Sequence, residues 1–311
     1  MKQRIGRAPW DKKQDAPPKK QPQPPAKTRP SSSSSSSPAA PPSYSQPKSP
    51  ALPKALAPDL CVYGRHAVDA TLRFQAQRCE LLYHTDNRDL APIVELATRS
   101  GVKTRLVEHA VTDALAGGRD VAVAQGIVLA CLPFPFADVE DFEKAPSLTL
   151  VLDGVEDPRN LGAAVRAAYA LGAGLVVIPA DRAATATASA IKASAGALCR
   201  IPLARATNLR RALELLKEKG AWIVGAEADG DASPWSVDMS GPTVVVIGGE
   251  DRGLRRLTRE ACDHVVSIPM AAKDMSLNAA DAATLLLYEA LRQRRQPKTP
   301  AVSGKPAAKP A

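Results

Sequence analysis

The stretch Leu148-Thr-Leu-Val-Leu-Asp153-Gly-Val-Glu-Asp157-Pro158-Arg-Asn160-Leu-Gly162-Ala-Ala-Val-Arg166 decides the fold. An apolar run from Leu148 to Leu152 stops at Asp153-Gly154. Asp157-Pro158 then offers a helix start, with proline at the first helical position, where a missing N–H costs nothing. A run that does not alternate with polar residues predicts a strand buried on both faces, hence a parallel sheet covered by helices. The pattern continues outward. Further apolar runs lie at Gly174–Ile178, Ile201–Leu203, Trp222–Gly225, Val244–Ile247 and Val265–Ile268, and helical stretches are predicted at Leu161–Leu171, Asn208–Lys219 and Leu254–Cys262. The fold class is α/β.

Polar and glycine residues follow three of these runs: the stretch above, Val246-Ile-Gly248-Gly-Glu250-Asp-Arg-Gly253-Leu, and Ile268-Pro-Met270 leading to Ser276-Leu-Asn278. The ends of parallel strands are where such folds place their chemistry. Gly162 and Arg166 are four apart on one predicted helix face, so Arg166 is expected to lie over Gly162 and point back toward Asn160. A glycine inside a helix costs about 1 kcal/mol against alanine, which suggests a space kept for a ligand such as a ribose and its phosphate. The plain structural readings stand beside these: Asn160 as a cap, Gly162 as a close-packing point, Arg166 as a surface cation, Ser276 as the cap of the last helix. No G-x-G-x-x-G follows a strand and no Walker-type loop is present, so a nucleotide-binding oxidoreductase has no fingerprint here.

Taken together and in this order, the three segments resemble the signature motifs of the SpoU/TrmH family of RNA ribose 2'-O-methyltransferases. The resemblance covers roughly residues 61 to 295. It implies a C-terminal parallel-sheet domain tied in a trefoil knot (the SPOUT fold) over residues 147–296, and a small L30e-like RNA-binding domain over 58–132, joined by a linker at 133–146. Tyr63-Gly-Arg-His-Ala-Val68 and Gln125-Gly126 look like the two ends of that small domain. The implied cofactor is S-adenosylmethionine, contacted by Gly248, Ile268, Met270 and Leu277, with the loop from Pro269 to Ser276 walling in the adenosyl group. The implied catalytic set is Asn160, Arg166, Glu250, Ser276 and Asn278, and no metal is implied. Arg255-Arg-Leu-Thr-Arg-Glu-Ala-Cys-Asp263 and Glu289-Ala-Leu-Arg-Gln-Arg294 look most like the branch acting on a guanosine of the large-subunit (23S) ribosomal RNA. Ala124 stands where that branch has histidine, and Ala279-Ala-Asp281 replaces its Val-Ser-Val. Transfer RNA is therefore kept as an alternative substrate, and a catalytically silent RNA-binding or ribosome-assembly factor as an alternative function. DNA is not expected as a partner.

Residues 1–57 are rich in Pro, Ser, Lys, Gln and Ala, with serine unbroken from Ser31 to Ser37. Such a stretch buries too little apolar surface to offset its ordering entropy, so a disordered tail is expected there and again over 297–311. The first 57 residues carry eleven Lys/Arg against two Asp/Glu, a net +9 that equals the charge of the whole chain. The basic character thus belongs to the tails, and a basic arm attracts a phosphate backbone without reading its sequence. In the remainder, Arg65, Arg105, Arg182, Lys192, Arg252 and Lys273 are candidates to track RNA or to be ordinary solvated charges. With aromatics at 4%, little surface exists for stacking bases.

Between Leu60 and Leu132 the pattern predicts helices at Ala67–Gln77, Asp89–Ser100 and Val111–Ala116, and extended segments at Glu80–His84, Lys103–Val107 and Gly126–Leu132. The last helix, Leu277 to about Arg294, is apolar around most of its circumference, which calls for burial on two sides, supplied by a homodimer interface or by a place at the centre of a monomeric core. Five scattered cysteines with no C-x-x-C pair read as reduced thiols, and no segment is apolar enough to enter a membrane, so a cytoplasmic location is expected.

Methyl transfer to a ribose hydroxyl demands alignment and removal of a poorly acidic proton. Arg166 cannot be the base, because a guanidinium keeps its proton. Its expected part is to grip the phosphate beside the target and steady the developing alkoxide, held in place by Glu250 and Asn160.

Overall fold

The computed structural model describes residues 56–57, 60–117, 124–250, 252–272 and 275–296. Residues 1–55 and 297–311 of the expected tails, Asp251 and Lys273 lie outside these, whereas Leu56, expected in the N-terminal tail, donates its N–H to the Leu115 carbonyl at 3.1 Å and packs with Cys61 and Leu115. Two sheets form the framework. The first has β1 (Cys61–Tyr63), β2 (Cys79–His84), β3 (Lys103–Leu106) and β4 (Ile127–Cys131) in the order β1-β4-β2-β3, with α1 (Arg65–Phe74), α2 (Ala91–Arg99) and α3 (His109–Leu115) between them. β4 runs antiparallel to both β1 and β2, while β2 and β3 are parallel. The sequence reading locates every one of these elements except β1, whose three residues are too short to show a period.

The second sheet is parallel throughout: β5 (Leu148–Asp153), β6 (Leu175–Pro179), β7 (Leu203–Ala206), β8 (Trp222–Ala226), β9 (Thr243–Gly248) and β10 (His264–Val266), in the order β10-β8-β9-β5-β6-β7. Its helices are α4 (Pro158–Ala170), α5 (Ala188–Ala193), α6 (Leu209–Glu218), α7 (Arg256–Ala261) and α8 (Ala279–Arg295). Every residue of β5 and β9 is buried. The reason is visible in their alternation. Leu150, Leu152, Val245 and Ile247 enter one core with Leu161, Val165, Leu286 and Leu287, whereas Val151, Val244 and Val246 enter another with Leu209, Leu213 and Leu216. With both faces apolar, the two-residue period of a strand disappears into a continuous run.

Helix starts follow local chemistry. Asp157 caps α4, its carboxylate accepting the N–H of Arg159 at 2.8 Å, with Pro158 in the first turn. Asn208 caps α6 in the same way. Asn278, not Ser276, caps α8, its side chain accepting the N–H of Ala280 at 2.8 Å. Asn160 lies inside α4 and is not a cap.

The segment expected as a linker is packed. Phe134, Val139 and Ala145 are buried, Phe134 lies under the Arg78 guanidinium, and Ala137 pairs with Ala204 beside β7. Helices and turns carried by the two sheets also meet directly. Thr71 Oγ1 and Cys199 Sγ are 3.5 Å apart, and Arg200 stacks between Phe74 of α1 and Tyr169 of α4 at 4.6 and 4.5 Å. No described helix is long and apolar enough to cross a membrane. All five cysteines are free thiols.

Candidate active site

β5 and β9 are neighbours at the centre of the sheet, and Asp153 pairs with Gly248 at their carboxyl ends. From β5 the chain builds outward to β6 and β7, then returns past the centre to β8. The loops leaving β5 and β9 therefore diverge and open a crevice, the usual ligand position in an open α/β sheet.

Three side chains from the three motifs close on one point. Asn160 Nδ2 donates to Glu250 Oε1 in a short hydrogen bond. Asn278 Nδ2 donates to the same oxygen at 3.1 Å and to Asn160 Oδ1 at 3.1 Å. Capping fixes the last of these amides: Asn278 Oδ1 is committed to the N–H of Ala280, so its NH2 must face Asn160 and Glu250. Residues 118 positions apart are thereby brought within one hydrogen bond of each other.

Around this cluster lie two cavities. One, of about 220 Å³, is walled by Ala226, Ile247, Ile268, Met270 and Leu277, with Glu227, Gly248 and Ser276 at its edges. The other, of about 700 Å³, is polar, and Asp153, Asp157, Asn160, Arg182, Arg252 and Arg255 line it. Gly249, Glu250 and Gly253 line both, so the loop after β9 is the wall between them. Glycine is required at 248, because a Cβ there would run into the Gly253 carbonyl where the loop folds back on itself. The N–H of Gly253 donates to the Gly249 carbonyl at 3.0 Å and closes that fold.

The apolar cavity thus collects Gly248, Ile268, Met270, Ser276 and Leu277, and the polar cluster collects Asn160, Glu250 and Asn278. Arg166 joins neither. It is exposed on α4, lines neither cavity and makes no hydrogen bond or ion pair among the described residues. The expectation that Glu250 and Asn160 hold its guanidinium is corrected: in this chain they hold each other and Asn278. Gly162 is corrected as well. No ligand space exists there, since a Cβ would stand 2.5 Å from the Ala190 carbonyl oxygen and 2.6 Å from Ala193 Cβ, and the glycine lets α5 press against α4.

Among the basic candidates, Arg182 and Arg252 line the polar cavity, and Arg65 is paired with Asp89 at 3.2 Å. Sequence reasoning passed over Asp153, Glu227 and Arg255 as site residues. The available signal was positional: Asp153 ends a strand, and Glu227 follows one directly. Arg159 holds the Asp157 carboxyl below its ordinary value through side-chain and backbone N–H donors. Burial pushes the Cys262 thiol up to about 12, so it is no thiolate nucleophile at neutral pH. Among the described residues no cluster of His, Cys, Asp or Glu could hold a metal ion.

The sequence model of the SpoU rRNA Methylase family matches residues 147–288, and that of the RNA 2'-O ribose methyltransferase substrate-binding domain matches 61–137. The chain is 39% identical over 248 residues to the 23S rRNA (guanosine-2'-O-)-methyltransferase RlmB of Pseudomonas syringae pv. tomato, covering 77% of this chain and 98% of that protein. An uncharacterized tRNA/rRNA methyltransferase of Mycobacterium sp. strain KMS is 40% identical over 83% of this chain and 88% of its own length. Among solved structures, the SpoU methyltransferase AviRb of Streptomyces viridochromogenes, in complex with AdoMet, superposes with a TM-score of 0.64 at 28% identity, covering 75% of this chain and 89% of that one. The converging motif residues, the parallel sheet that carries them and the near-complete coverage of these relatives agree: the chain belongs to the SpoU rRNA methylase family.

Proposed function

We propose that this protein is an S-adenosylmethionine-dependent RNA methyltransferase that methylates a guanosine ribose 2'-hydroxyl in 23S ribosomal RNA. The observation that carries the reading is the Asn160–Glu250–Asn278 cluster on the wall between an apolar and a polar cavity. A methyl donor and an RNA hydroxyl need such an arrangement, two unlike compartments sharing one polar edge.

S-adenosylmethionine, when bound, supplies an electrophilic methyl group. The apolar cavity suits its adenosyl part: Ile268, Met270 and Leu277 exclude water, and the backbone at Gly248 is bare of side chain. The polar cavity suits a splayed-out nucleotide and its phosphate. Asn160 and Asn278 orient Glu250 through Oε1 and make no hydrogen bond to Oε2, the oxygen that would steady a cation or the hydroxyl proton. Arg166, permanently protonated, grips a phosphate rather than accepting a proton.

Because Arg166 lies outside the cavities of its own chain, the reading includes a homodimer that presents it to the partner's site. Support comes from α8, which packs beside α4 yet leaves Leu285 at 48% and Tyr288 at 59% exposure. The trefoil knot is likewise part of the proposal. The segment 265–267 is bonded to the loop after β8: Ala232 N–H to the Val265 carbonyl, Ser267 N–H to that of Ala232, and Ser267 Oγ to that of Ala228. Ribosomal RNA as substrate supports a cytoplasmic location as part of this reading.

Mapping of 2'-O-methyl groups in total RNA from cells lacking the protein tests the assignment. One guanosine of 23S rRNA is expected to lose its methyl group and regain it with the purified enzyme and S-adenosylmethionine. A loss confined to transfer RNA would replace the substrate, and an unchanged map with no binding of S-adenosylmethionine would leave a silent RNA-binding factor.

A further inference from the structure

The wall between the cavities is the loop Gly248–Arg255, and its far end is held by two carboxylates from different strands. Asp153, at the end of β5, has a side chain with 0% exposure. Its Oδ2 accepts the N–H of Arg255 at 2.9 Å, and its Oδ1 faces Arg255 Nε at 3.4 Å. Glu227, directly after β8, is 13% exposed in its side chain. Its Oε1 accepts the N–H of Leu254 at 3.2 Å, and Oε2 accepts from Arg259 Nε at 2.6 Å. Consecutive backbone N–H groups are thus gripped from opposite sides. Asp153 acts from the polar cavity, which it lines, and Glu227 from the apolar cavity, which it lines.

A buried polar group needs partners, and the donors that meet Asp153 and Glu227 belong to the wall or to the helix after it. Glu250 stands at the near end of the same loop, and the Gly253-to-Gly249 hydrogen bond transmits any shift of residues 254 and 255 to it. We infer that Asp153 and Glu227 are positioning residues that clasp the wall from its two sides, Asp153 setting the RNA face and Glu227 the methyl-donor face. The inference rests on the methyltransferase reading and adds the two residues that fix its central loop.

The test is a split of kinetic effects in the full-length protein. Asp153→Asn keeps the shape but turns an amide NH2 toward Arg255. It should lower kcat and raise the KM for RNA by about tenfold, since small misplacements at a reacting centre have effects of this order or larger. Its dissociation constant for S-adenosylmethionine, measured calorimetrically without RNA, should stay within about twofold of wild type by the same reasoning. Glu227→Gln should do the reverse, weakening S-adenosylmethionine several-fold and leaving the KM for RNA unchanged. Arg255→Gln, whose side chain is 44% exposed, tests the Asp153 pair should Asp153→Asn not fold. Equal loss of both ligands in both variants, in step with falling thermal stability, would overturn the inference, as would wild-type behaviour. Absence of methyl transfer by the wild type would instead strike the parent reading, while the calorimetric arm still reports on Glu227.

Discussion

At the level of single residues the site is a set of hydrogen-bond commitments, and each commitment predicts what its removal does. Asn160 lines only the polar cavity. Asn160→Ala should therefore lower methyl transfer by about 100-fold, the scale for losing one preorganised polar group, without changing S-adenosylmethionine affinity by calorimetry. Gly162 has a steric role, and Gly162→Ala should cost about 1–3 kcal/mol of stability in urea unfolding, the range for overpacking a close contact. The same two residues show what a sequence discloses and what it withholds. The place of Asn160 near the start of α4 was legible from Asp157-Pro158, and so was the common face of Gly162 and Arg166, which lie four apart. What Gly162 faces was not, because α5 arrives from residues 188–193, and its six residues, Ala-Ser-Ala-Ile-Lys-Ala, are too few to show a helical period. Arg166 is the sharper case. Its direction along the helix is a local property, but whether Glu250 reaches it is decided by Asn278, 118 residues beyond Asn160, which takes that carboxylate's attention first.

Strands and helices were readable in proportion to how much burial repeated along them. β5 and β9 announced themselves because both faces are core, whereas β7 sits two residues later than its apolar run suggests, since Ile201 and Pro202 form the approach to the strand. α8 is the element in which reading and structure inform each other most. Its apolar surround was evident, and so is its cost: Glu289 lies among Leu286, Leu287 and Ala290 on the buried side. Arg292 donates to both of its oxygens at 2.8 and 2.7 Å and Gln293 adds a third bond at 2.8 Å, which together hold the carboxyl below its ordinary value. A depressed native pKa stabilises the fold above the unfolded-state value of about 4.3, and the contribution disappears as pH falls through the native value. Urea unfolding of wild type and Glu289→Gln should show a constant gap from about pH 7 to 5 that closes below about pH 4. A gap independent of pH across that window would assign the effect of Glu289 to packing rather than charge.

For the whole molecule the open element is the face shared by α4 and α8. Leu285 and Tyr288 are exposed, and Arg166 on the neighbouring helix is an exposed cation with no ion pair among the described residues. One exposed leucine needs no explanation, but two large exposed side chains on a helix packed against the one that carries Arg166, a motif residue outside its own chain's cavities, do. The proposed homodimer would account for both observations if its twofold contact ran through this face, burying Leu285 and Tyr288 and presenting each Arg166 to the other subunit. Tyr288→Glu should then give a monomer by light scattering that still binds S-adenosylmethionine but transfers no methyl group. Complementation is the more demanding measurement. Arg166→Ala and Asn160→Ala homodimers should each be inactive. Mixed in equal amounts and allowed to exchange subunits, they should recover about a quarter of wild-type activity, because half the dimers are mixed and one of the two sites in each pairs an intact Arg166 with an intact Asn160. If both residues served the same chain's site, every site in the mixture would carry one defect and no activity would return, so recovered activity separates a site shared between subunits from two independent ones.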